Sequence, residues 1–225
     1  LIEKGADVNA VSIRGTALMV AAEEGNKEVC ELLIEKGADV NAALSMLGAA
    51  LTKAAKGGHK ELCQMLIEKG ADVNAVGLRG PALTKAAEGG HKELCQMLIE
   101  KGADVNAVSI RGTALMVAAE EGNKEVCELL IEKGAEINAV NEFGTTALMF
   151  AAKEGNKEVC QLLVEKGLEV NTADKYGITA FMRAANRGNK EVCQLLIEKG
   201  ADVNAVAKNG WTALTKAAEG GHKEV

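Results

Sequence analysis

The chain has 225 residues and a formal net charge of −6, with 48% hydrophobic and only 2% aromatic residues. A negative net charge argues against nucleic acid or an anionic membrane as a partner, because both require a basic surface on the protein. The longest stretch without a charged residue, Val40 to Thr52, is too short to cross a bilayer as a helix. We therefore expect neither a nucleic-acid partner nor a membrane partner.

One decapeptide, LIEKGADVNA, recurs along the whole chain. It or a close variant begins at Leu1, Leu33, Leu66, Leu98, Leu130, Leu163 and Leu196, so successive copies start 32 or 33 residues apart. A fixed period of this length is typical of a solenoid, in which each unit packs only on its neighbours. The spacing predicts one array with complete modules at 11–42, 43–75, 76–107, 108–139, 140–172 and 173–205, and partial modules at 1–10 and 206–225.

The first module predicts two short helices. Thr16 is a suitable N-cap for the first helix, which residues 23–25 (Glu-Glu-Gly) are expected to end. Asn26 is expected to cap the second helix, in which apolar residues follow helical spacing from Val29 onwards until Gly37 stops it. Neither helix is long enough to be stable alone. We predict an all-α solenoid of helix-turn-helix modules joined by short finger loops.

The cysteines also recur once per repeat at the same phase, at Cys30, Cys63, Cys95, Cys127, Cys160 and Cys193. Stacked helices lie roughly 8–10 Å apart, whereas a disulfide needs Cα atoms within about 7 Å. We therefore expect free, buried thiols in a reducing compartment, which predicts a cytoplasmic location. No cysteine has a second cysteine or a histidine at ligand spacing, so no metal site is expected.

Several motifs recur in register and resemble those of one family. They are the T-A-L-x-x-A-A start of the first helix, the G-[NH]-K-E entry to the second and the L-L-I-E-K-G-A-D-V-N-A ending. Over the whole chain they resemble ankyrin repeats. The resemblance implies antiparallel helix pairs, and a concave face of turn tips and first helices that binds other proteins.

The chain departs from the ankyrin pattern at the start of the first helix. The family's T-P-L-H appears as TALM, AALT, PALT, TAFM or TALT, so the Thr–His hydrogen bond implied by the resemblance is not expected here. Ala49 and Pro81 also lack a capping hydroxyl, and we expect the second and third modules to be the weakest. The turns that begin at Val11, Val76 and Val108 are one residue short, and the sequence leaves open how they close.

The histidines and paired glutamates that are candidates for catalysis are better explained by structural roles. His59, His91 and His222 occupy a helix entry where other repeats have Asn, and nothing places a general base or metal ligand beside them. The pairs Glu23–Glu24 and Glu120–Glu121 end first helices, where we expect a solvated face. No phosphate-binding glycine motif occurs. We predict no catalytic residue, no cofactor, no metal and no enzymatic activity.

The asparagine of the decapeptide carries two interpretations. Asn41, Asn74, Asn106 and Asn204 fit a motif resembling the target of the asparaginyl hydroxylase that modifies ankyrin repeats in animals. The alternative, which we favour, is that the amide simply ties the loop backbone.

The surface at the turn tips and first-helix ends varies where the rest of the repeat is copied. The tips predicted to contact a partner are Ile13, Arg14, Met46, Leu78, Arg79, Ile110, Arg111, Phe143 and Tyr176, with Ile178 and Trp211 just past the turn glycine. The helix ends add Glu120, Glu121, Lys153, Glu154 and Arg187. Apolar side chains at exposed tips are energetically unfavourable unless a partner covers them. Aromatic residues are the usual anchors in protein binding sites. The alternative is that each tip folds onto its own or the neighbouring turn.

These observations predict a protein–protein interaction scaffold. The carboxylates beside the tips suggest a partner with basic residues. The alternatives are a spacer or spring segment of a longer array and an engineered repeat protein, neither with a specific ligand. The array carries no polar capping repeat at either end, so head-to-tail stacking of copies is a further expectation.

Overall fold

A computed structural model describes residues 1–44, 48–77 and 80–225. Within these ranges the chain forms thirteen α-helices and one 3-10 helix, and isolated β-bridges take the place of regular strands. The helices belong to two compact units, residues 1–110 and residues 111–225. The predicted all-α repeat architecture is confirmed.

The first unit alternates first helices of seven residues with second helices of nine. After the 3-10 helix Ile2–Lys4 come α1 Ala17–Glu23, α2 Lys27–Glu35, α3 Ala50–Lys56, α4 Lys60–Glu68, α5 Ala82–Glu88 and α6 Lys92–Glu100. Each first helix contacts its own second helix, and α3 lies between α1 and α5.

The second unit repeats this arrangement. Its helices are α7 Ala114–Glu120, α8 Lys124–Glu132, α9 Ala147–Glu154, α10 Lys157–Glu165, α11 Ala180–Arg187, α12 Lys190–Glu198 and α13 Ala213–Glu219. Helices α7, α9, α11 and α13 pack in succession, and α10 lies between α8 and α12. One layer of the unit is therefore made of first helices and the other of second helices.

Burial in the core depends on neighbouring repeats. Val159 of α10, with neighbours on both sides, is 1% exposed, whereas the equivalent Val29 of α2 is 47% exposed. Paired alanines such as Ala151 and Ala152 are fully buried, and their small side chains allow the helices to approach closely. The apolar side chains Leu1 and Leu214 are also exposed, and head-to-tail stacking of copies stays a prediction.

A ladder of asparagines joins the loops of consecutive repeats within each unit. Asn9 Nδ2 donates to the carbonyl of Gly37 at 3.0 Å, and its Oδ1 accepts from the amide of Asp39 at 2.9 Å. The same pair of bonds is made by Asn41, Asn74 and Asn171. The predicted tie between asparagine and loop backbone is confirmed, and its partner is the next repeat.

The shortened first turn closes as a two-residue hairpin. The backbone of Ser12 and Gly15 exchanges two hydrogen bonds, with N···O distances of 2.9 and 3.0 Å, which leaves Ile13 and Arg14 at the tip. Gly15 has φ +104°, a conformation that side chains with a Cβ rarely adopt. In the full-length turn, by contrast, Asp174 Oδ1 accepts from two backbone amides at 2.8 and 2.9 Å.

Threonine caps the first helices as predicted. The hydroxyl of Thr16 accepts from the amide of Met19 at 3.3 Å, and Thr113, Thr146 and Thr179 make the equivalent bond. Ala49 and Pro81 occupy the same position without a side-chain cap. In the third module, the buried hydroxyl of Thr84 also has no hydrogen-bond partner among the described residues, because Pro81 offers neither an amide nor a hydroxyl.

Asn26 stands at the N-cap position of the second helix, as predicted, but it does not cap the helix through its side chain. In the second unit the equivalent Asn156 Nδ2 donates instead to the carbonyls of Ala119 and Glu120, at 2.9 and 2.8 Å. These carbonyls lie at the end of the preceding first helix, where helical acceptors are left over. The asparagine therefore joins two repeats rather than ending a helix.

Histidine serves the same purpose where it replaces this asparagine. The Nε2 atom of His91 lies 3.2 Å from the carbonyl of Lys56, and His59 and His222 make equivalent contacts. The structural interpretation of the histidines is confirmed. A Cβ added to Gly89 would lie 2.3 Å from His91 Nε2, although Gly89 has an ordinary helical φ of −81°. Every histidine repeat accordingly has the sequence Gly-Gly-His. Every asparagine repeat has Glu or Arg in place of the first of these two glycines.

Replacing Ala49 by Thr should stabilise the chain by about 1 kcal/mol, because the new hydroxyl would accept from the amide of Thr52. Urea unfolding measures the gain, and hydrogen exchange at the Thr52 amide locates it. The matched control is Ala49→Val, which has the same shape without the hydroxyl. Equal stabilisation by the two substitutions would show that packing, not capping, is responsible.

Gly89→Ala should destabilise the chain by about 1 kcal/mol, because the added methyl displaces the His91 ring from its hydrogen bond with Lys56. The same change in a His91→Asn background should cost little, since the shorter side chain leaves room for the methyl. Urea unfolding of the two single variants and the double variant gives the coupling energy. An equal cost in both backgrounds would contradict the steric explanation.

Candidate functional site

The described tips of the first unit are exposed. Ile13 is 98% exposed, and Ile110 is also among the exposed large hydrophobic residues. Of the other predicted tip residues, Met46, Leu78 and Arg79 lie outside the described residues.

The tip arginines bind the carboxylates at the end of the first helix. Arg14 lies 2.9 Å from Glu24 and 3.5 Å from Glu23, and Lys53 donates to Glu23 at 3.1 Å. The hydrogen bond from Lys53 holds the pKa of Glu23 below its usual value. The hydrogen bond to Glu24 raises the pKa of Arg14. The expected solvated face is found, since Glu24 is exposed, but these carboxylates are also neutralised by Arg14 and Lys53.

The second unit repeats this arrangement. Arg111 lies 2.7 Å from Glu120 and 2.8 Å from Glu121, while Lys153 lies 2.7 Å from Glu154. All five of these predicted contact residues are thus joined in ion pairs within the chain. The negative charge of the three glutamates is therefore less available to a partner than the sequence alone suggests.

A groove of about 230 Å³ lies in the second unit, between α11 and the turn before α13. Its apolar lining consists of Ile178, Met182, Ala207 and Trp211. Ile178 and Trp211 each follow the turn glycine of their repeat, so stacking of successive repeats brings them to the same groove. Trp211 remains 44% exposed. These are two of the predicted partner-binding residues.

The polar lining of the groove is cationic. It consists of Lys153, Arg183, Asn186, Arg187 and Lys216. Lys216 Nζ lies 3.1 Å from the centroid of the Trp211 ring, and Arg183 lies 2.7 Å from the buried carboxylate of Asp174. Arg187, at the end of α11, forms no ion pair with any residue in the described ranges. The groove thus combines an exposed aromatic ring with guanidinium and ammonium groups.

Met182, Arg183 and Lys216 line the groove but are not among the contact residues predicted from the sequence. Arg183 and Lys216 share one position of the first helix, four residues after the capping threonine. Other repeats have Val20, Lys53 or Phe150 at this position. The residue at this position is buried in two other copies, Lys85 and Val117, so the sequence alone does not identify it as part of a binding surface.

The predicted row of three aromatics falls into two places. Phe143 and Tyr176 are exposed at successive finger tips, and neither lines the groove with Trp211. Their carbonyls accept from the amides of Lys175 and Lys208 in the following fingers, both at 2.9 Å. The fingers are thereby joined by backbone hydrogen bonds, which hold the aromatic side chains on the surface. Binding through Phe143 and Tyr176 stays a prediction.

The cysteines are buried thiols. All six are free and buried, and burial raises the pKa of Cys30 and Cys193 to about 11 and that of the other four to about 12. They are therefore protonated at neutral pH, when neither nucleophilic attack nor metal binding is favoured. Within residues 1–44, 48–77 and 80–225, no three His, Cys, Asp or Glu side chains are grouped to hold a metal ion.

The repeat geometry and the sequence point to one family. The family model described as "Ankyrin repeats (3 copies)" matches residues 1–77, 51–141, 83–174, 115–207 and 169–225, which together cover the whole chain. The chain belongs to the ankyrin repeat family. In the described parts of the chain, none of the helices combines the length and the apolar character that crossing a membrane requires.

Known proteins of this family share parts of the sequence or the fold. Over 44 residues, the chain is 52% identical to ankyrin repeat domain-containing protein 17 of Mus musculus and 50% identical to ankyrin repeat and KH domain-containing protein 1 of Homo sapiens. Each match covers 18% of this chain and only 2% of the relative. The crystal structure of the human ASB11 ankyrin repeat domain superposes with a TM-score of 0.81 at 27% identity, covering 90% of this chain and 91% of that one.

The buried thiols predict a loss of stability at alkaline pH. Unfolded cysteines ionise near pH 9, whereas the folded thiols have pKa values of about 11 to 12. The stabilisation that comes from keeping these thiols protonated in the folded state is therefore complete below pH 9. It is lost as the pH rises towards 12. Urea midpoints measured from pH 7 to pH 11 should fall above pH 9. A variant with all six cysteines changed to alanine should show a shallower fall, and an equal slope would contradict the assignment.

Proposed function

We propose that this chain is a protein–protein interaction scaffold that binds a protein partner through its turn tips and first helices, with the groove beside Trp211 as a principal contact. Ankyrin repeats are generally protein–protein interaction modules. The observation that carries the proposal is the exposure of Trp211 next to Ile178 in a concave site. Leaving a large aromatic side chain open to water is unfavourable, and aromatic residues in pockets are typical binding anchors.

Rigidity of the scaffold supports this function. The asparagine ladder ties successive loops, and the backbone bonds from Lys175 and Lys208 tie successive finger tips in the second unit. A preformed surface loses little conformational entropy when a partner binds. We propose binding without rearrangement of the fingers.

Non-enzymatic function and a reducing location belong to the same proposal. Ankyrin repeats are typically interaction domains rather than enzymes. Six free cysteines with raised pKa values are compatible with a compartment in which thiols stay reduced. We propose that the chain works as a binding module in the cytoplasm.

Affinity capture from a lysate of the source organism tests this proposal with two variants. The groove variant carries Ile178→Ser and Trp211→Ser, and the tip variant carries Phe143→Ser and Tyr176→Ser. We expect the groove variant to lose a protein that the parent captures, because its apolar anchors are gone. Mass spectrometry identifies the captured proteins after circular dichroism has shown equal helicity.

The control variant carries Ile197→Ser and Val203→Ser, which remove exposed apolar side chains away from the groove. It should capture the same proteins as the parent. If only the tip variant loses the captured protein, the principal contact lies at the finger tips and not in the groove. Identical captures by all four chains would contradict the scaffold and favour a spacer segment.

A further inference from the structure

The groove beside Trp211 has the size of a site for side chains rather than for a whole small ligand. Its volume of about 230 Å³ is below the roughly 300–1,000 Å³ typical of small-molecule and cofactor sites. An extended protein segment could place one large side chain in the groove and continue along its rim. The inference below rests on the proposed function, because it concerns the partner of the same site.

The charge of the groove is opposite to that of the chain. The net charge of the chain is −6, yet four of the nine lining residues are cations and none is a carboxylate. Arg183 is neutralised by Asp174, whose side chain is only 1% exposed. Lys153 and Lys216 pair with Glu154 and Glu219, at 2.7 and 2.6 Å, on the outside of the groove. Three of the four cations are therefore already paired, and the charge left for a bound segment is that of Arg187.

Arg187 is the cation best placed to bind a partner. It is exposed at the end of α11 and forms no ion pair with the described residues. The equivalent position holds a carboxylate in Glu24, Glu121 and Glu154, and glycine in the remaining copies. The charge is therefore reversed in this repeat alone, next to the exposed tryptophan. A free guanidinium group suits a carboxylate, to which it can donate two parallel hydrogen bonds.

We propose that the groove binds an acidic peptide segment of a partner protein, with one large apolar side chain against Trp211 and Ile178 and a neighbouring carboxylate on Arg187. This replaces, at the groove, the expectation of a basic partner. That expectation came from the carboxylates beside the tips, of which Glu120, Glu121 and Glu154 are paired with Arg111 and Lys153. The remaining surface charge at this site is positive.

Nucleic acid fits the groove less well than an acidic peptide. Binding to a phosphate backbone depends on many simultaneous cation contacts, and three of the four lining cations are already paired within the chain. Proteins that bind single-stranded nucleic acid also use several aromatic side chains, on which successive bases stack. The groove offers one ring, and one face of that ring lies 3.1 Å from Lys216 Nζ.

Trp211 is the only tryptophan of the chain, so its fluorescence reports directly on the groove. The probe is a nonapeptide with a central leucine flanked on each side by four aspartate or glutamate residues. One comparison peptide has lysine in place of the acidic residues, and another has glycine in place of leucine. A single-stranded oligonucleotide of nine thymidines is the fourth probe. Each is titrated into the full chain at low and at physiological salt.

We expect the acidic leucine peptide to change the Trp211 emission saturably, with weaker binding at higher salt because the attraction is electrostatic. Arg187→Glu should weaken this binding about tenfold or more, since a charge-assisted hydrogen bond is lost and a repulsion is added. Lys199→Glu makes the same charge change outside the groove and should alter the affinity less than twofold. The glycine peptide should also bind more weakly than the leucine peptide.

Stronger binding of the lysine peptide or of the oligonucleotide would overturn this inference. Equal effects of Arg187→Glu and Lys199→Glu would overturn it as well. Its failure differs from failure of the scaffold proposal. If the groove variant loses a captured protein while the acidic peptide shows no preference, the groove binds a partner of different chemistry and the scaffold proposal stands.

Discussion

The structure depends on one constraint, which is that its helices are too short to be stable alone. Helices of seven to nine residues form only when neighbouring repeats cover their apolar faces. Val159 is buried because α10 has a neighbour on each side, whereas Val29 of α2 is half exposed. The asparagine ladder adds a polar counterpart to this apolar cover, because each rung satisfies a carbonyl and an amide of the next loop. A recurring interface therefore requires recurring residues.

The same constraint limits where the sequence can vary. Core alanines such as Ala152 and Ala185, and the ladder asparagines Asn41 and Asn74, meet similar surroundings where a neighbouring repeat covers them. Substitutions at an interface occur in matched sets, as with Gly89 and His91, where the larger ring leaves no room for a Cβ. The finger tips and the outer positions of the first helices have no such partner. Residues there, such as Arg187 and Trp211, can change without disturbing the stack, and this freedom is what allows a binding site to arise.

The groove illustrates how a repeat array makes a site that no single repeat contains. Ile178 and Trp211 come from successive turns, and Arg187 ends the helix between them. Each belongs to a position whose counterparts elsewhere carry other residues. Arg111 and Lys153 form ion pairs with nearby carboxylates. The groove can therefore bind a partner through the charge of Arg187 and the ring of Trp211, despite the acidic composition of the chain.

The sequence by itself determined the repeat period, the helix pairs, the threonine caps and the burial of the cysteines, because these follow from local spacing that every copy repeats. It also placed Ile178, Trp211 and Arg187 on the variable surface. Only the tertiary structure decided which residues meet across repeats. The local position of Asn26 suits a helix cap, but the carbonyls that its counterparts bind lie in the preceding repeat. The charge of the groove likewise depends on pairs formed in space, such as Arg183 with Asp174, and a pattern read along the chain does not contain those distances.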